Sequence, residues 1–168
     1  MSKIVESIDV DVPVRVAYDQ WTQFEEFPRF MDGVKRVTQL NDTTIEWNAE
    51  INGIDRSWRA EITEQEPDTA IAWRSTSGAK NDGRISFEPL DGDRARATLE
   101  LEVEPDDPIE KAGDALGFVK RQVEGDLRRF KEFIESRGAP TGGWRGEVEG
   151  GQVEGGQVQG GHKVSEGR

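Results

Sequence analysis

The sequence predicts an α+β domain in which a seven-stranded antiparallel sheet wraps around a long C-terminal helix, with two short helices after strand 1. Three observations lead to this prediction. Segments of alternating apolar and polar residues follow one another between residues 34 and 104, separated by turn signals such as Asn52-Gly53 and Asp91-Gly92. One helical stripe of apolar residues extends from Ile109 to Ile134. These are the only large apolar surfaces in the sequence, so they must pack on each other.

The first strand and the helices after it are predicted from the N-terminal segment. A strand at 3–12 is indicated by apolar residues of one parity: Ile4, Ile8, Val10 and Val12. Pro13 suits the first position of a helix. That helix has one apolar face, formed at helical spacing by Val14, Ala17, Tyr18 and Trp21. A second short turn is predicted from Phe24 to Met31.

Six more strands are predicted, at 34–40, 43–51, 54–66, 69–76, 83–90 and 93–104. One parity is apolar and aromatic and the other is charged, which is typical of an antiparallel sheet with one solvated face. The apolar parity includes Trp47, Trp58, Trp73, Phe87, Leu99 and Leu101. The opposite parity places these carboxylates outside: Glu46, Glu50, Glu61, Glu88, Glu100 and Glu102.

The long helix is predicted to begin near Pro108 and to end at Gly138, which acts as a C-terminal stop. Apolar residues recur through it at steps of three and four: Ile109, Ala112, Leu116, Val119, Val123, Leu127, Phe130 and Ile134. This stripe is predicted to face the apolar side of the sheet.

The chain divides into a body, 1–137, and a second region, 138–168, that holds 11 of the 19 glycines. Three x-Val-x-Gly-Gly units begin at 147, 152 and 157. One valine in five does not offset ordering entropy of ~1–2 kcal/mol per residue. We therefore expect a flexible tail whose removal after Gly146 leaves the Tm within a few degrees of its original value. The alternative is a multivalent tail that docks a protein partner. Trp144 is unusual in such a segment and is a candidate for folding back onto the body.

Composition excludes several classes of function. The chain has 22 Lys+Arg against 34 Asp+Glu, a net charge of −12, which argues against binding of nucleic acid or anionic lipid surfaces. It has no cysteine, and its single histidine is His162, so the body has neither a thiol nucleophile nor a histidine-based metal site, and no cofactor is predicted. No apolar run reaches 18 residues and the N-terminus lacks a signal-peptide core, so a cytoplasmic protein is expected.

The inward aromatic residues either fill the core or line a pocket, and the residues alone leave both interpretations open. The candidate lining residues are Trp47, Trp58, Trp73, Phe87, Leu99 and Leu101 of the sheet and Leu116, Val119 and Val123 of the helix. Arg56 shares the parity of Trp58 and is a candidate for binding an anionic head or polarising a carbonyl at the cavity mouth. An exposed arginine at a strand end is the preferred interpretation of Arg56. Asp55 and Arg56 are the only charged pair that the pattern places near the rim.

Four segments resemble the START-like helix-grip superfamily: Phe27 to Val34, Trp58 to Glu64, Ile71 to Ser75, and Glu124 to Lys131. The branch they resemble most is the bacterial polyketide cyclase/dehydrase and coenzyme-Q-binding group. The resemblance extends from residue 1 to about 146 and includes Trp144-Arg145-Gly146. It implies a hydrophobic cavity between the sheet and the C-terminal helix and so favours pocket lining. It does not imply a reaction, because the superfamily includes lipid carriers, hormone receptors, chaperone activators and cyclases.

Three functions are therefore considered. The leading hypothesis is a non-catalytic protein that binds or carries a small hydrophobic molecule, such as an isoprenoid, a lipid or a polyketide. The second is a polyketide cyclase/dehydrase-type enzyme, which needs acid or base groups inside the cavity. No catalytic residue is nominated, because the body has no histidine or cysteine and Tyr18 is predicted to lie in the core. The third is an accessory protein that uses the repeat tail as its contact.

Overall fold

The computed structural model describes residues 2–51, 53–77, 81–103 and 115–154. These ranges contain an α+β fold, as predicted, but with nine strands in the sheet instead of seven. The helices are α1 (Val14–Trp21), a 3-10 helix (Phe24–Arg29) and α2 (Ala115–Arg137). The strands are β1 (Ser2–Val10), β2 (Val34–Asn41), β3 (Thr44–Ile51), β4 (Ile54–Glu66), β5 (Ala70–Ser77), β6 (Asn81–Leu90), β7 (Arg94–Val103), β8 (Glu147–Glu149) and β9 (Gln152–Glu154).

Seven strands form one continuous antiparallel path, in the order β1-β7-β6-β5-β4-β3-β2. Consecutive strands from β2 to β7 are neighbours, and β1 closes the far edge by pairing with β7. The alternation seen in the sequence separates the two faces of this sheet. Oppositely charged side chains pair across strands on the outer face, for example Arg74 with Glu61 at 3.1 Å and Lys3 with Glu100 at 3.3 Å. Such exposed pairs add little stability individually, so the buried inner face holds the sheet on α2.

One side of α2 is attached to β1. Lys120 Nζ lies 2.9 Å from Glu6 Oε2, and Lys131 Nζ donates to the carbonyl oxygen of Asp9 at 3.0 Å. Because residue numbers rise together along the two elements, α2 runs in the same direction as β1. Its N-terminal half therefore lies over the end of the sheet where β1 begins.

The other side of α2 is attached to the segment that precedes β2. Gln122 Nε2 donates to the carbonyl oxygen of Asp32 at 2.7 Å, and Arg129 Nε donates to that of Phe30 at 3.0 Å. The helix thus bridges the two edges of the sheet, with its apolar stripe between these attachments. The buried members of the stripe are Val123, Leu127, Phe130 and Ile134.

The end of α2 is confirmed where the sequence predicts it. The Gly138 N–H donates to the carbonyl oxygen of Ile134 at 2.8 Å, and Gly138 has a φ of 72°, the left-handed conformation that glycine adopts without strain. The predicted start near Pro108 lies outside the described residues.

The segment after α2 returns to the body and packs on α1. Trp144 is buried, and its backbone N–H donates to Thr22 Oγ1 at 3.1 Å. Thr141 and Gln20 exchange two hydrogen bonds, of 2.8 and 3.0 Å. The prediction that Trp144 folds back is confirmed.

Two of the three glycine-rich units differ from the flexible tail that was expected. The first forms β8, in which Val148 is buried and pairs with Gln65 of β4, and the second forms β9. Gly150 and Gly151 make the turn between them with positive φ angles of 60° and 82°, a hairpin geometry that suits consecutive glycines. The first unit forms a strand because it pairs with β4, which supplies hydrogen bonds and burial that a glycine-rich unit cannot supply by itself. The third unit lies outside the described residues.

Removing residues 147–168 is therefore expected to lower the free energy of unfolding by about 2 kcal/mol, because it removes the buried Val148 side chain and its pairing with β4. Thermal denaturation measures this as a fall in Tm of several degrees. A chain that ends at Glu154 is the matched control and should keep the stability of the full chain. Equal Tm values for the two truncated chains would contradict the packing of β8.

Candidate functional site

The site predicted from the sequence is the inner face of the sheet, opposite α2. On its β3–β4 side, Trp47 and Trp58 stack with their ring centroids 5.6 Å apart and their planes inclined by 7°. The Trp47 and Trp58 indole N–H groups are both buried, and neither has a hydrogen-bond acceptor within the described residues. Buried donors without an acceptor are uncommon in folded proteins, so these two are candidates to bind a carbonyl or hydroxyl oxygen of a ligand.

Trp73 lies across Gly83, its register partner on the neighbouring strand. A Cβ atom at position 83 would lie 2.5 Å from Trp73 Cζ2, so the absence of a side chain there makes room for the indole. Leu101 follows in the same row on β7, and Ile4 on β1. This row marks the end of the sheet that lies under the N-terminal half of α2.

The inner face is covered unevenly along α2. Toward the C-terminal end of the helix, Phe130 and Ile134 are 0% exposed. Toward its N-terminal end, Leu99 is 8% and Leu101 9% exposed, and Val119 and Trp73 are only partly buried. Trp47 is also partly buried, whereas Trp58, Phe87 and Val123 are buried but not fully enclosed. Leu116 lies in α2, and its side chain is outside the described part.

The structure separates the charged pair that was placed near the rim. Arg56 is half-buried opposite Ala49 on β3, whereas Asp55 is exposed and lies 3.2 Å from Lys35 Nζ. Adjacent residues of a strand point to opposite faces, so Asp55 and Arg56 do not act on one ligand group.

Glu6 is a carboxylate on the inner face that the sequence reasoning missed. It lies opposite Leu99 in the β1–β7 register and its side chain is 18% exposed. Its charge is matched by Lys120 of α2. The sequence contains a signal for this position, because Glu6 has the same parity as the apolar residues Ile4 and Ile8.

Burial shifts the pKa of three further groups in the described ranges, of which Tyr18 and Asp19 are buried and Asp126 is partly buried. Burial raises the pKa of Tyr18, whose ring packs edge-on against Phe87 at 5.6 Å, so Tyr18 is a core residue as predicted. Burial also raises the pKa of Asp19, although Arg145 opposes the shift. Burial raises the pKa of Asp126 to about 6 against hydrogen bonds from Arg129 and the Asp32 backbone.

Within the described ranges, no three His, Cys, Asp or Glu residues lie close enough together to hold a metal ion. Across the same ranges, no helix combines the length and the apolar character needed to cross a membrane.

Comparison with known proteins gives a consistent result. The family model described as "polyketide cyclase / dehydrase and lipid transport" matches residues 10–132. An uncharacterised 17.2 kDa protein from the melC2-rnhH intergenic region of Streptomyces lincolnensis is 54% identical over 149 residues, which are 88% of this chain and 99% of that protein.

Two solved structures show the same fold. The Zhui aromatase/cyclase from Streptomyces sp. R1128 has a TM-score of 0.68 and 14% identity, with 81% of this chain and 94% of that chain covered. A START superfamily protein from Mycobacterium smegmatis has a TM-score of 0.62 and 19% identity, with 80% and 95% covered. At these identities the likeness concerns the fold.

Proposed function

Because the chain belongs to the polyketide cyclase/dehydrase and lipid transport family, a branch of the START-like superfamily, we propose that it binds a small hydrophobic molecule between the inner face of the sheet and α2. An isoprenoid, a lipid or a polyketide fits this class. The proposal rests on the difference in burial between the two ends of the inner face. Apolar side chains are fully enclosed toward Ile134 and incompletely enclosed toward Val119.

The residue types at that end suit an apolar ligand with few polar atoms. Leu99, Leu101 and Val119 offer aliphatic surface, and Trp73 offers a flat ring. The stacked pair Trp47 and Trp58 adds two indole donors without acceptors among the described residues. Sites for small molecules typically combine such an apolar lining with a few polar groups that fix the orientation of the ligand.

Replacing Val119 with tryptophan tests the proposal, because the larger side chain would fill the space that a ligand needs. Palmitic acid and a short-chain ubiquinone serve as probes, and tryptophan fluorescence and native mass spectrometry report binding. We expect saturable binding by the parent protein and at least tenfold weaker binding by Val119→Trp. The free energy of unfolding should change by less than about 1 kcal/mol, since the new side chain enters a space and not a filled core.

Val5→Trp is the matched control, because Val5 is 54% exposed on the outer face of β1. It should bind the probes like the parent. The proposal fails if the parent shows no saturable response to either probe and Val119→Trp is destabilised by about 1–3 kcal/mol, the result expected of an overpacked core.

A second candidate function is cyclase/dehydrase chemistry, and the position of Glu6 favours it. A carboxylate on the inner face next to Leu99 is the kind of group that a general base requires. Lys120, 2.9 Å away, holds it at one edge of the apolar surface.

If Glu6 acts as a base, Glu6→Gln is expected to reduce ring closure of a test polyketone at least a hundredfold, the usual contribution of such a group. Glu100→Gln is the matched control, because Glu100 is also paired with a lysine but lies on the outer face. Absence of turnover by the parent, or equal rates for the two variants, would leave binding as the function.

A further inference from the structure

A polar cleft of about 200 Å³ lies on the side of α2 that contacts the segment before β2. It is separate from the apolar inner face. Its lining consists of Asp32, Arg121, Gln122, Gly125, Arg128 and Arg129. Three arginines around one cleft are notable in a chain with a net charge of −12.

Two of these arginines have no carboxylate partner among the described residues. Over the described ranges, no carboxylate oxygen lies within 4.0 Å of the guanidinium of Arg121 or of Arg128. Several arginines of the sheet are paired, for example Arg59 with Glu46 and Arg84 with Glu64. Among the described residues, the charges of Arg121 and Arg128 are therefore not compensated by an ion pair.

The helical spacing brings both arginines to the cleft. Positions 121 and 128 are two turns apart, about 10.5 Å along the axis, and share a face with Gly125 between them. Gly125 lines the cleft together with them. A Cβ atom there would lie 3.1 Å from Arg129 Nη1, so glycine also makes room for that guanidinium.

The wall of the cleft is held in place by contacts within the protein. Arg129 Nη2 donates to Asp126 Oδ1 at 2.6 Å, and the Asp32 backbone N–H donates to the same oxygen at 3.1 Å. Arg129 thus compensates Asp126. Asp32 also lines the cleft, beside Arg121 and Arg128, which have no carboxylate partner in the described part of the chain.

We propose that this cleft binds a phosphoryl group, with Arg121 and Arg128 as its ligands. A guanidinium presents N–H donors in a fork that matches two oxygens of one phosphate, and two such forks on one cleft address the several oxygens of a phosphomonoester. A carboxylate has only two oxygens, so one guanidinium is enough to bind it, whereas a phosphomonoester can bind two. The source favoured by the net charge is a water-soluble phosphorylated compound, since an anionic membrane repels a chain of this charge.

Titration with inorganic phosphate and with glycerol 3-phosphate tests the site, followed by NMR of the arginine side-chain N–H groups and by calorimetry. We expect saturable shifts at Arg121 and Arg128, and affinity that falls as salt is added. The double variant Arg121→Gln/Arg128→Gln should bind at least tenfold more weakly. Both side chains are exposed, so the variant should keep the Tm of the parent.

Arg36→Gln is the matched control. Arg36 is an exposed residue of β2, so this substitution removes one positive charge outside the cleft. Its phosphate affinity should equal that of the parent. Sedimentation with phosphatidylcholine vesicles, with and without phosphatidic acid, separates the sources: arginine-dependent binding to glycerol 3-phosphate identifies a free compound, and arginine-dependent binding to vesicles alone identifies a lipid headgroup. No saturable response in any arm, or equal losses in the double variant and Arg36→Gln, overturns the proposal.

Discussion

Replacing Arg145 with methionine is expected to lower the free energy of unfolding by about 3–5 kcal/mol at pH 7, the usual consequence of removing one partner of a buried ion pair. Arg145 Nη1 donates to Asp19 Oδ1 at 2.5 Å, and its Nη2 lies 2.7 Å from Asp68 Oδ1. The side chains of Arg145 and Asp19 are only 15% and 7% exposed. Without Arg145, the Asp19 carboxylate would remain buried with its main partner removed.

The pH dependence of this effect follows from the shift at Asp19. Burial raises the pKa of Asp19 above its ordinary value of 3.8, so folding favours the protonated form of this group. The stability from that proton is fully present below the unfolded pKa and is lost as pH rises through the folded pKa. Because Arg145 opposes the shift, its removal raises the folded pKa of Asp19 further. The loss of stability in Arg145→Met should therefore be larger at pH 7 than at pH 4, as measured by urea denaturation.

Arg15→Met is the control for this prediction. Arg15 Nε lies 3.8 Å from Asp19 Oδ2, but the Arg15 side chain is 62% exposed, so its removal should change stability by under about 0.5 kcal/mol. The double variant Asp19→Asn/Arg145→Met should recover part of the stability, since it removes the buried charge. Equal effects of Arg15→Met and Arg145→Met would show that Arg145 is not the principal partner of Asp19.

Replacing Gly83 with alanine is expected to lower the free energy of unfolding by about 3 kcal/mol, at the upper end of the range for overpacking. The new Cβ would lie 2.5 Å from Trp73 Cζ2 and 2.9 Å from the carbonyl oxygen of Glu100. The indole can move only by disturbing the inner face, and the carbonyl belongs to the neighbouring strand. Urea denaturation and tryptophan fluorescence measure the change.

Trp73→Leu in the Gly83→Ala background should restore part of the stability, because it removes the larger of the two clashes. Gly125→Ala is a contrasting control. There the Cβ meets only the end of the flexible Arg129 side chain, at 3.1 Å, and alanine favours the helix. A Gly83→Ala variant as stable as Gly125→Ala would contradict the packing of Trp73 on Gly83.

Much of the fold could be predicted because it follows from the geometry of neighbouring residues. The two-residue period of a strand assigns Trp58 and Ile62 to one face and Arg59 and Glu61 to the other, whatever lies beyond them. The 3.6-residue period of a helix likewise assigns Val123, Leu127 and Phe130 to a single stripe. Gly138 ends that helix for a local reason, its left-handed backbone. The apolar part of the candidate site is built from these two periods and was therefore visible in the sequence.

The two-residue period no longer predicts which face of the sheet a residue lies on where strand pairing becomes irregular. A register shift between Ile62 and Glu64 in β4 turns Gln65 inward, where it is buried beside Val148. No residue type in β4 indicates in advance that the pairing is irregular there. It arises from the fit of β4 to its neighbours, so the sequence pattern predicts the bounds of the strand, 54–66, but not the inward position of Gln65.

The sequence by itself determined the α+β class, the two faces of the sheet and the apolar stripe of α2, because each depends on residues adjacent in the chain. Only the tertiary structure decided which distant residues meet: Arg145 with Asp19, Val148 with Gln65, and Glu6 with Lys120. These contacts close loops of many residues, and each forms only after the sheet and α2 have brought its partners together. The glycine-rich segment at β8 forms a strand because it pairs with β4. Arg145 is buried because its charge is paired with that of Asp19.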